Sequence, residues 1–210
     1  MFNASDVEPL RASLPEFDFH ESIADNPLLS RYLQHYGLSV DALNEDKTRG
    51  IHHAMGFFSS ANFRIACHYY CPEQAHGTVF IVHGYYDHVG LFAHIIRYCL
   101  ARNLAVIAFD LPGHGLSTGL AASIDSFSQY TQVFADCVAM AQAQNLQGPF
   151  HVLAQSTGGS IVMDYCLSRC EQSKKQFEHI VLLAPLVRPH DWARGSLLHS
   201  VANVFVKSIG

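Results

Sequence analysis

The residues with the clearest chemistry form the stretch 154–158, Ala-Gln-Ser-Thr-Gly, which follows the short apolar run 150–153 and precedes a helical pattern. A strand, a tight turn at a serine and a helix make a nucleophile elbow, whose usual sequence is G-x-S-x-G. Ala154 stands in place of the first glycine and has the next smallest side chain. The pattern predicts that a strained turn holds the hydroxyl of Ser156 above the sheet edge as a nucleophile. The alternative is an ordinary serine in a turn between a strand and a helix.

A second segment predicts the backbone N–H groups that would stabilise the oxyanion formed when such a nucleophile attacks. The apolar run 78–82 leads into His83, Gly84 and Tyr85. In serine hydrolases a loop at this place donates one backbone N–H to the oxyanion, and the residue after the nucleophile donates the other. The two predicted oxyanion donors are therefore the backbone N–H groups of Tyr85 and Thr157.

A third segment, 106–117, is another apolar strand that ends in a D-x-x-G-H-G-x-S turn. Its glycines permit backbone angles that other residues rarely adopt. In a sheet of alternating strands and helices, ligands bind beyond the carboxyl ends of the strands. The loops after 82 and 109 and the serine turn all follow such ends, so the sequence places them at one edge.

Together the three motifs, in this order and spacing, resemble the α/β-hydrolase superfamily, over roughly residues 51 to 190. The group they resemble most is the serine aminopeptidase S33-like hydrolases with the monoacylglycerol lipases and lysophospholipases. The resemblance implies a mostly parallel sheet with helices on both faces and a serine mechanism that needs no cofactor. It also implies that Asp87 and Asp110 shape loops, and that His83 and His114 orient loops by hydrogen bonding.

The resemblance further implies a chain order of Ser, then Asp or Glu, then His for the catalytic triad. After the last apolar strand, 179–184, the chain offers only His190, Asp191 and His199. None of them follows a further strand. We therefore expect a chain that is truncated within the fold, with its acid and histidine beyond residue 210 and with little or no turnover by itself. A triad completed by Asp191 and His199 is the alternative.

The composition suits one globular domain. Apolar residues make up 49% of the 210 residues and charged residues 15%, and the net charge of −5 gives no footprint for nucleic acid. We divide the chain into an N-terminal helical extension (1–50), an α/β-hydrolase core (51–187) and the start of a cap (188–210).

The compartment and the cysteines can also be predicted. The N-terminus lacks a charged and apolar leader, and no apolar run reaches the length of a membrane span. These features predict a cytoplasmic protein, with peripheral membrane contact left open. The six cysteines read as reduced, mostly buried thiols, and no metal site is predicted.

The predicted reaction is hydrolysis of a carboxylic ester through an acyl-enzyme on Ser156. The apolar stretch after Arg188, the absence of phosphate-binding motifs and the lipase-like loop 83–85 favour monoacyl esters such as monoacylglycerols or lysophospholipids. An S33-type peptidase, an acyltransferase and a non-catalytic binding protein with this fold remain alternatives. The oligomeric state is not indicated.

Overall fold

The computed structural model of the chain describes residues 1–23, 25–168 and 176–187. The strands are β1 (Ile51–Ser60), β2 (Phe63–Pro72), β3 (Thr78–Val82), β4 (Ala105–Phe109), β5 (Phe150–Gln155) and β6 (His179–Leu183). The α-helices are α1 (Val7–Ser13), α2 (Pro27–Tyr36), α3 (Val40–Leu43), α4 (Ala93–Leu100), α5 (Phe127–Ala143) and α6 (Thr157–Ser168), and 3₁₀ turns cover Ala4–Asp6 and Val89–Phe92. The predicted cap segment 188–210 and Cys170 lie outside the described residues.

The six strands form one sheet in the order β1-β2-β4-β3-β5-β6. β2 pairs antiparallel with β1 and β4, and β4, β3, β5 and β6 pair in parallel. Val82 lies level with Phe109 on one side and with Ala154 on the other. The carboxyl ends of β3, β4 and β5 therefore meet at one edge, and the predicted mostly parallel sheet is confirmed.

The hairpin between β1 and β2 closes with a two-residue turn. Ala61 and Asn62 both have positive φ angles, +49° and +69°. Two consecutive left-handed residues are the mark of the type I′ turn, whose twist matches that of the flanking strands. The hairpin forms the antiparallel opening of the sheet.

Each face of the sheet is covered by its own apolar layer. Strand residues such as Phe80, Ile107 and Val152 pack with α5 and α6. Their neighbours in sequence, such as Ile81 and Val106, point to the opposite face and pack with α1, α2 and α4. Successive side chains of a strand alternate between faces, so apolar runs at consecutive positions require two covered faces. The prediction of helices on both faces is confirmed.

The N-terminal segment is bound to the sheet. Asn26 caps α2, since its Oδ1 accepts from the N–H groups of Leu28 and Leu29 at 2.9 and 3.2 Å, and Gly37 ends the helix at φ +67°. Phe57 of β1 exchanges two backbone hydrogen bonds with the segment, through Phe17 N–H (2.7 Å) and Pro15 C=O (2.9 Å). The segment thus packs on the outside of the sheet, and its status as a separate domain stays a prediction.

Beneath this segment lies a buried polar cluster of His53, His68, Tyr70 and Tyr32. His53 Nε2 lies 3.2 Å from His68 Nδ1, and Tyr70 Oη donates to the Leu38 carbonyl at 2.8 Å. The ring of Tyr32 stacks over that of His68 at 6.2 Å. Burial lowers the pKa of His68 to about 3 and that of His53 well below its usual value. Both imidazoles are therefore neutral in the native fold at neutral pH.

Because of this buried cluster, we expect the free energy of unfolding to fall at acidic pH. Between pH 6.5 and about 3 the unfolded chain takes up a proton at His68 while the native protein does not. The contribution of His68 to the free energy of unfolding is therefore present above pH 6.5 and is lost progressively as the pH drops. Between about pH 7.5 and pH 5 we expect His68 to contribute about 2 kcal/mol of this loss. His68→Leu should reduce the loss by that amount in urea unfolding at the two pH values.

The matched control is His94→Leu, since His94 is an exposed residue of α4. Its variant should lose as much stability between the two pH values as the wild type does. If His68→Leu also keeps the full loss, His68 is not a source of the acid sensitivity.

Candidate active site

The predicted elbow has the local geometry that its sequence indicates. β5 ends at Gln155, α6 begins at Thr157, and Ser156 between them has a φ of +50°. This left-handed conformation costs an L-residue about 1–2 kcal/mol relative to the right-handed one. Ser156 is partly exposed, whereas Thr157 and Gly158 behind it are buried. Surrounding structure must therefore hold the turn.

Backbone hydrogen bonds from the edge strand hold the elbow in place. The Ser156 N–H donates to the carbonyl of Leu183, at the end of β6, at 2.9 Å. The Ser156 carbonyl accepts from the N–H of Leu186 at 3.0 Å and from that of Ser160 at 3.3 Å. The backbone N–H and carbonyl of Ser156 therefore both have hydrogen-bond partners. The end of β6 accepts from the N–H, and the chain after β6 and α6 both donate to the carbonyl.

Two glycines let α6 approach the sheet closely. A Cβ on Gly158 would lie 2.3 Å from the Val82 carbonyl oxygen and 2.7 Å from that of His83. A Cβ on Gly159 would lie 2.8 Å from the Cβ of Pro185. Neither position has room for a larger side chain without a shift of its neighbours. Gly158 thus lets α6 approach the end of β3, and Gly159 lets it approach the chain that follows β6.

The loop after β3 lies against the elbow. A Cβ on Gly84 would lie 3.2 Å from the Cβ of Ser156 and 2.7 Å from the Oε1 of Gln155. Tyr85 follows directly, and Thr157 is the first residue of α6, where N–H groups have no partner within the helix. The N-terminal end of a helix also attracts negative charge. Tyr85 thus lies in the loop that packs against Ser156, and Thr157 directly follows Ser156 in the chain. Their role as oxyanion donors stays a prediction.

The side chain of Tyr85 is tied to the neighbouring loop. Its hydroxyl donates to the Ala122 carbonyl at 2.6 Å, and its ring lies 5.6 Å from that of His114. Burial raises the pKa of Tyr85, and contact with Tyr86 adds to the rise. This anchor joins segments 37 residues apart. No motif in the sequence signals it.

His83 fastens the loop after β3 to the loop after β4. Its Nε2 accepts from the Leu111 N–H at 2.9 Å, so its proton lies on Nδ1, which donates to the Gly84 carbonyl at 2.7 Å. Burial lowers the pKa of His83 to about 3, against a smaller opposing effect of the Gly84 bond. The ring is neutral and engaged on both sides, as the expected loop-orienting role requires.

His114 is buried nearby and bonds differently. Its Nδ1 lies 2.8 Å from the Pro112 carbonyl, while no described residue partners its Nε2. Burial lowers its pKa, and the Pro112 bond and Asp110 partly oppose this. His114 thus fixes its own turn through one nitrogen.

Asp110 organises the loops on this edge. Its Oδ1 accepts from the Val89 N–H at 2.8 Å, and its Oδ2 accepts from the Leu116 N–H at 2.7 Å. Ser117 Oγ donates to its backbone carbonyl at 2.6 Å. Burial raises the pKa of Asp110, and these N–H donors counteract the rise. The carboxylate is occupied by backbone, which fits the loop-shaping role expected for it.

The described residues do not bring a histidine base to Ser156. Among residues 157–168 and 176–187 the one histidine is His179, which lies at the start of β6 and so at the opposite end of the sheet from the elbow. His190, Asp191 and His199 lie outside the described residues. The described part of the chain also holds no group of three or more metal-ligating side chains.

Two observations concern the cysteines and the membrane. Cys67, Cys71, Cys99, Cys137 and Cys166 are free thiols in the described segments, as predicted. None of the described helices is both long enough and apolar enough to cross a membrane.

Comparison with known proteins places these features in a wider group. A family model described as serine aminopeptidase, S33, matches residues 73–209. A monoacylglycerol lipase of Mycolicibacterium smegmatis is 30% identical over 152 residues, which are 72% of this chain and 52% of the relative. Human monoglyceride lipase is 29% identical over 58% of this chain and 39% of its own length. The chain thus spans about half the length, or less, of these curated relatives.

A solved structure shows the same fold. The soluble variant of monoglyceride lipase from Saccharomyces cerevisiae, in complex with a substrate analog, superposes with a TM-score of 0.53 at 13% identity. The match covers 67% of this chain and 47% of that one. The α/β-hydrolase fold predicted from the three motifs is therefore confirmed.

The left-handed turn predicts an unusual order of stabilities. Ser156→Gly should be more stable than Ser156→Ala by about 1 kcal/mol, because only glycine adopts this φ without strain. At Ala139, exposed within α5, Ala139→Gly should instead destabilise by about 1 kcal/mol. Urea unfolding of the variants measures both differences. A Ser156→Gly variant no more stable than Ser156→Ala would contradict a strained elbow.

The packing of α6 predicts a steric effect. Gly158→Ala should destabilise by about 1–3 kcal/mol, because the new methyl group would overlap the carbonyl oxygens at the end of β3. Gly148→Ala is the control, since a Cβ there has nothing within 4 Å, and it should change stability by less than about 0.5 kcal/mol. Equal effects in thermal or urea unfolding would show that the helix does not depend on this close approach.

Proposed function

The chain belongs to the serine aminopeptidase S33 family of α/β-hydrolases, and we propose that it cleaves carboxylic esters with Ser156 as the nucleophile. One observation carries the proposal. Ser156 occupies a left-handed turn between β5 and α6, and the backbone of Gly84 packs directly against it. A partly exposed serine on a turn that several elements hold in place suits attack on a carbonyl.

In the proposed reaction Ser156 Oγ attacks the ester carbonyl, and the alcohol leaves as the tetrahedral intermediate collapses to an acyl-enzyme. Water then releases the acid and restores the serine. The N–H groups of Tyr85 and Thr157 hold the oxyanion of each intermediate. Losing one such donor should cost about 3 kcal/mol of transition-state stabilisation. A histidine takes the serine proton, with an acid to orient it, and both lie outside the described residues.

The proposed substrates are monoacyl esters such as monoacylglycerols or lysophospholipids. The names of the curated relatives, monoacylglycerol lipase and monoglyceride lipase, support this class. Peripheral contact with a membrane would give access to such lipids. A cytoplasmic location fits the free cysteines of the described segments. Neither metal nor cofactor takes part in the proposed chemistry.

The second candidate is an aminopeptidase. The description of the matching family, serine aminopeptidase, S33, favours it. Both candidates form the same acyl-enzyme on Ser156 and differ in the leaving group, which is an alcohol for the esterase and an amine for the peptidase.

Substrate preference separates the two candidates. For a form of the protein that carries the complete triad, we expect higher kcat/KM for p-nitrophenyl esters of medium or long acyl chains than for alanine or proline p-nitroanilides. Acyl length should matter gradually, since each buried methylene contributes about 0.8 kcal/mol. Ser156→Ala should abolish turnover, whereas Ser168→Ala, an exposed change at the end of the same helix, should retain it.

Faster cleavage of the anilides would replace the esterase by the peptidase. Turnover that survives Ser156→Ala would remove Ser156 from its role. Binding of esters without turnover of either class would favour a non-catalytic binding protein.

A further inference from the structure

Arg11 of α1 reaches across to the turn that follows β4. Its Nε donates to the Leu116 carbonyl at 2.9 Å. Its Nη2 donates to the carbonyls of Gly115 and Ser117 at 3.0 and 2.9 Å. A single planar guanidinium thus satisfies three consecutive backbone carbonyls, from a residue more than 100 positions away in sequence.

The setting of Arg11 favours a strong contact. Its side chain is 22% exposed, and its carboxylate partner is Glu8 of the same helix, at 2.5 Å, with a side chain that is 78% exposed. The guanidinium is a rigid fork of donors that is charged at every ordinary pH, and such donors form stronger hydrogen bonds than neutral ones. Nε and Nη2 of the guanidinium hydrogen-bond to the turn, and Nη1 hydrogen-bonds to Glu8.

The turn that Arg11 holds is packed against Asp110. A Cβ on Gly115 would lie 2.2 Å from Asp110 Oδ2, so this residue must be glycine, and its φ is +49°. The same oxygen accepts from the Leu116 N–H at 2.7 Å. The hydroxyl of Ser117 donates to the Asp110 carbonyl at 2.6 Å. A shift of the turn would therefore displace hydrogen bonds on both the backbone and the side chain of Asp110.

From Asp110 the contacts continue to the elbow. Its chain neighbour Leu111 donates to His83, and His83 donates to the carbonyl of Gly84. Gly84 packs against the side chain of Ser156. A continuous series of short hydrogen bonds and backbone contacts thus runs from α1 to the loop that carries Tyr85.

We infer that Arg11 is a positioning residue for this loop. Its guanidinium fixes the turn 115–117 and, through Asp110 and His83, the segment Gly84–Tyr85. In the proposed ester hydrolysis, on which this last step rests, that segment supplies one oxyanion donor. Arg11 lies outside the residues matched by the family model, 73–209. The N-terminal segment would therefore contribute to the function of the core and not only to its stability.

Hydrogen–deuterium exchange tests the inference without any assumption about activity. In Arg11→Ala we expect the amides of 110–117 and of 84–87 to exchange about tenfold faster, because a charged clamp has been lost, while α5 and β3 keep their protection. The control is Arg31→Ala. Arg31 pairs with Asp6 of the same segment at 2.7 Å, and its side chain is 49% exposed. It should leave both regions unchanged.

Two results would overturn the inference. The first is faster exchange at 115–117 with unchanged exchange at 84–87, which would confine the clamp to its own turn. The second is an equal response to Arg31→Ala, which would mean that both arginines merely anchor the segment. If Arg11→Ala does not fold, Arg11→Lys replaces it. Its single ammonium group cannot match the fork, so a smaller change in the same two regions is expected.

Kinetics then separate positioning from stability. If esters are turned over, Arg11→Ala should lower kcat about tenfold with KM changed less than about twofold, because oxyanion contacts act in the transition state. Millimolar methylguanidinium should restore part of the lost rate in Arg11→Ala but not in Ser156→Ala. An unchanged kcat, or no rescue, would argue against the link to the oxyanion. A wild type that carries the complete triad and still turns over no ester would defeat the proposed function, and the exchange comparison would still decide the role of Arg11.

Discussion

One strained peptide determines much of this structure. Ser156 is held at φ +50°, a conformation that its side chain disfavours, and it persists because several elements converge on it. The edge strand β6 bonds its N–H, the chain after β6 bonds its carbonyl, and α6 is drawn close by Gly158. The strain is local, but its support comes from three separate elements, which meet at the edge where the carboxyl ends of the strands lie.

Burial sets the electrostatics around this turn. Burial keeps the imidazoles of His83 and His114 neutral, and each ring hydrogen-bonds to backbone groups. Asp110 is buried too, and backbone N–H donors replace the water that it has lost. The titratable groups that surround the elbow therefore serve as fixed connectors between loops. Their rigidity would keep the N–H groups of Tyr85 and Thr157 in place before a substrate arrives.

Local patterns in the sequence predicted the parts of the fold that depend on neighbouring residues. The alternation of strands with helices and the elbow at Ser156 follow from periodicity, turn residues and small side chains. Long-range contacts carry no such local signal. The clamp of Arg11 on residues 115–117 and the anchor of Tyr85 on Ala122 depend on how distant segments pack, so only the structure reveals them. The same limit applies to the contact between the buried histidines His53 and His68, which are 15 residues apart in sequence.

The most direct test of a nucleophile at Ser156 is the position of a covalent adduct. A form of the protein that carries the complete triad would be treated with a fluorophosphonate, digested, and its peptides sequenced by mass spectrometry. The account predicts one adduct per chain, on Ser156, and none in Ser156→Ala. An adduct on any other residue, or equal labelling of Ser156→Ala, would contradict it.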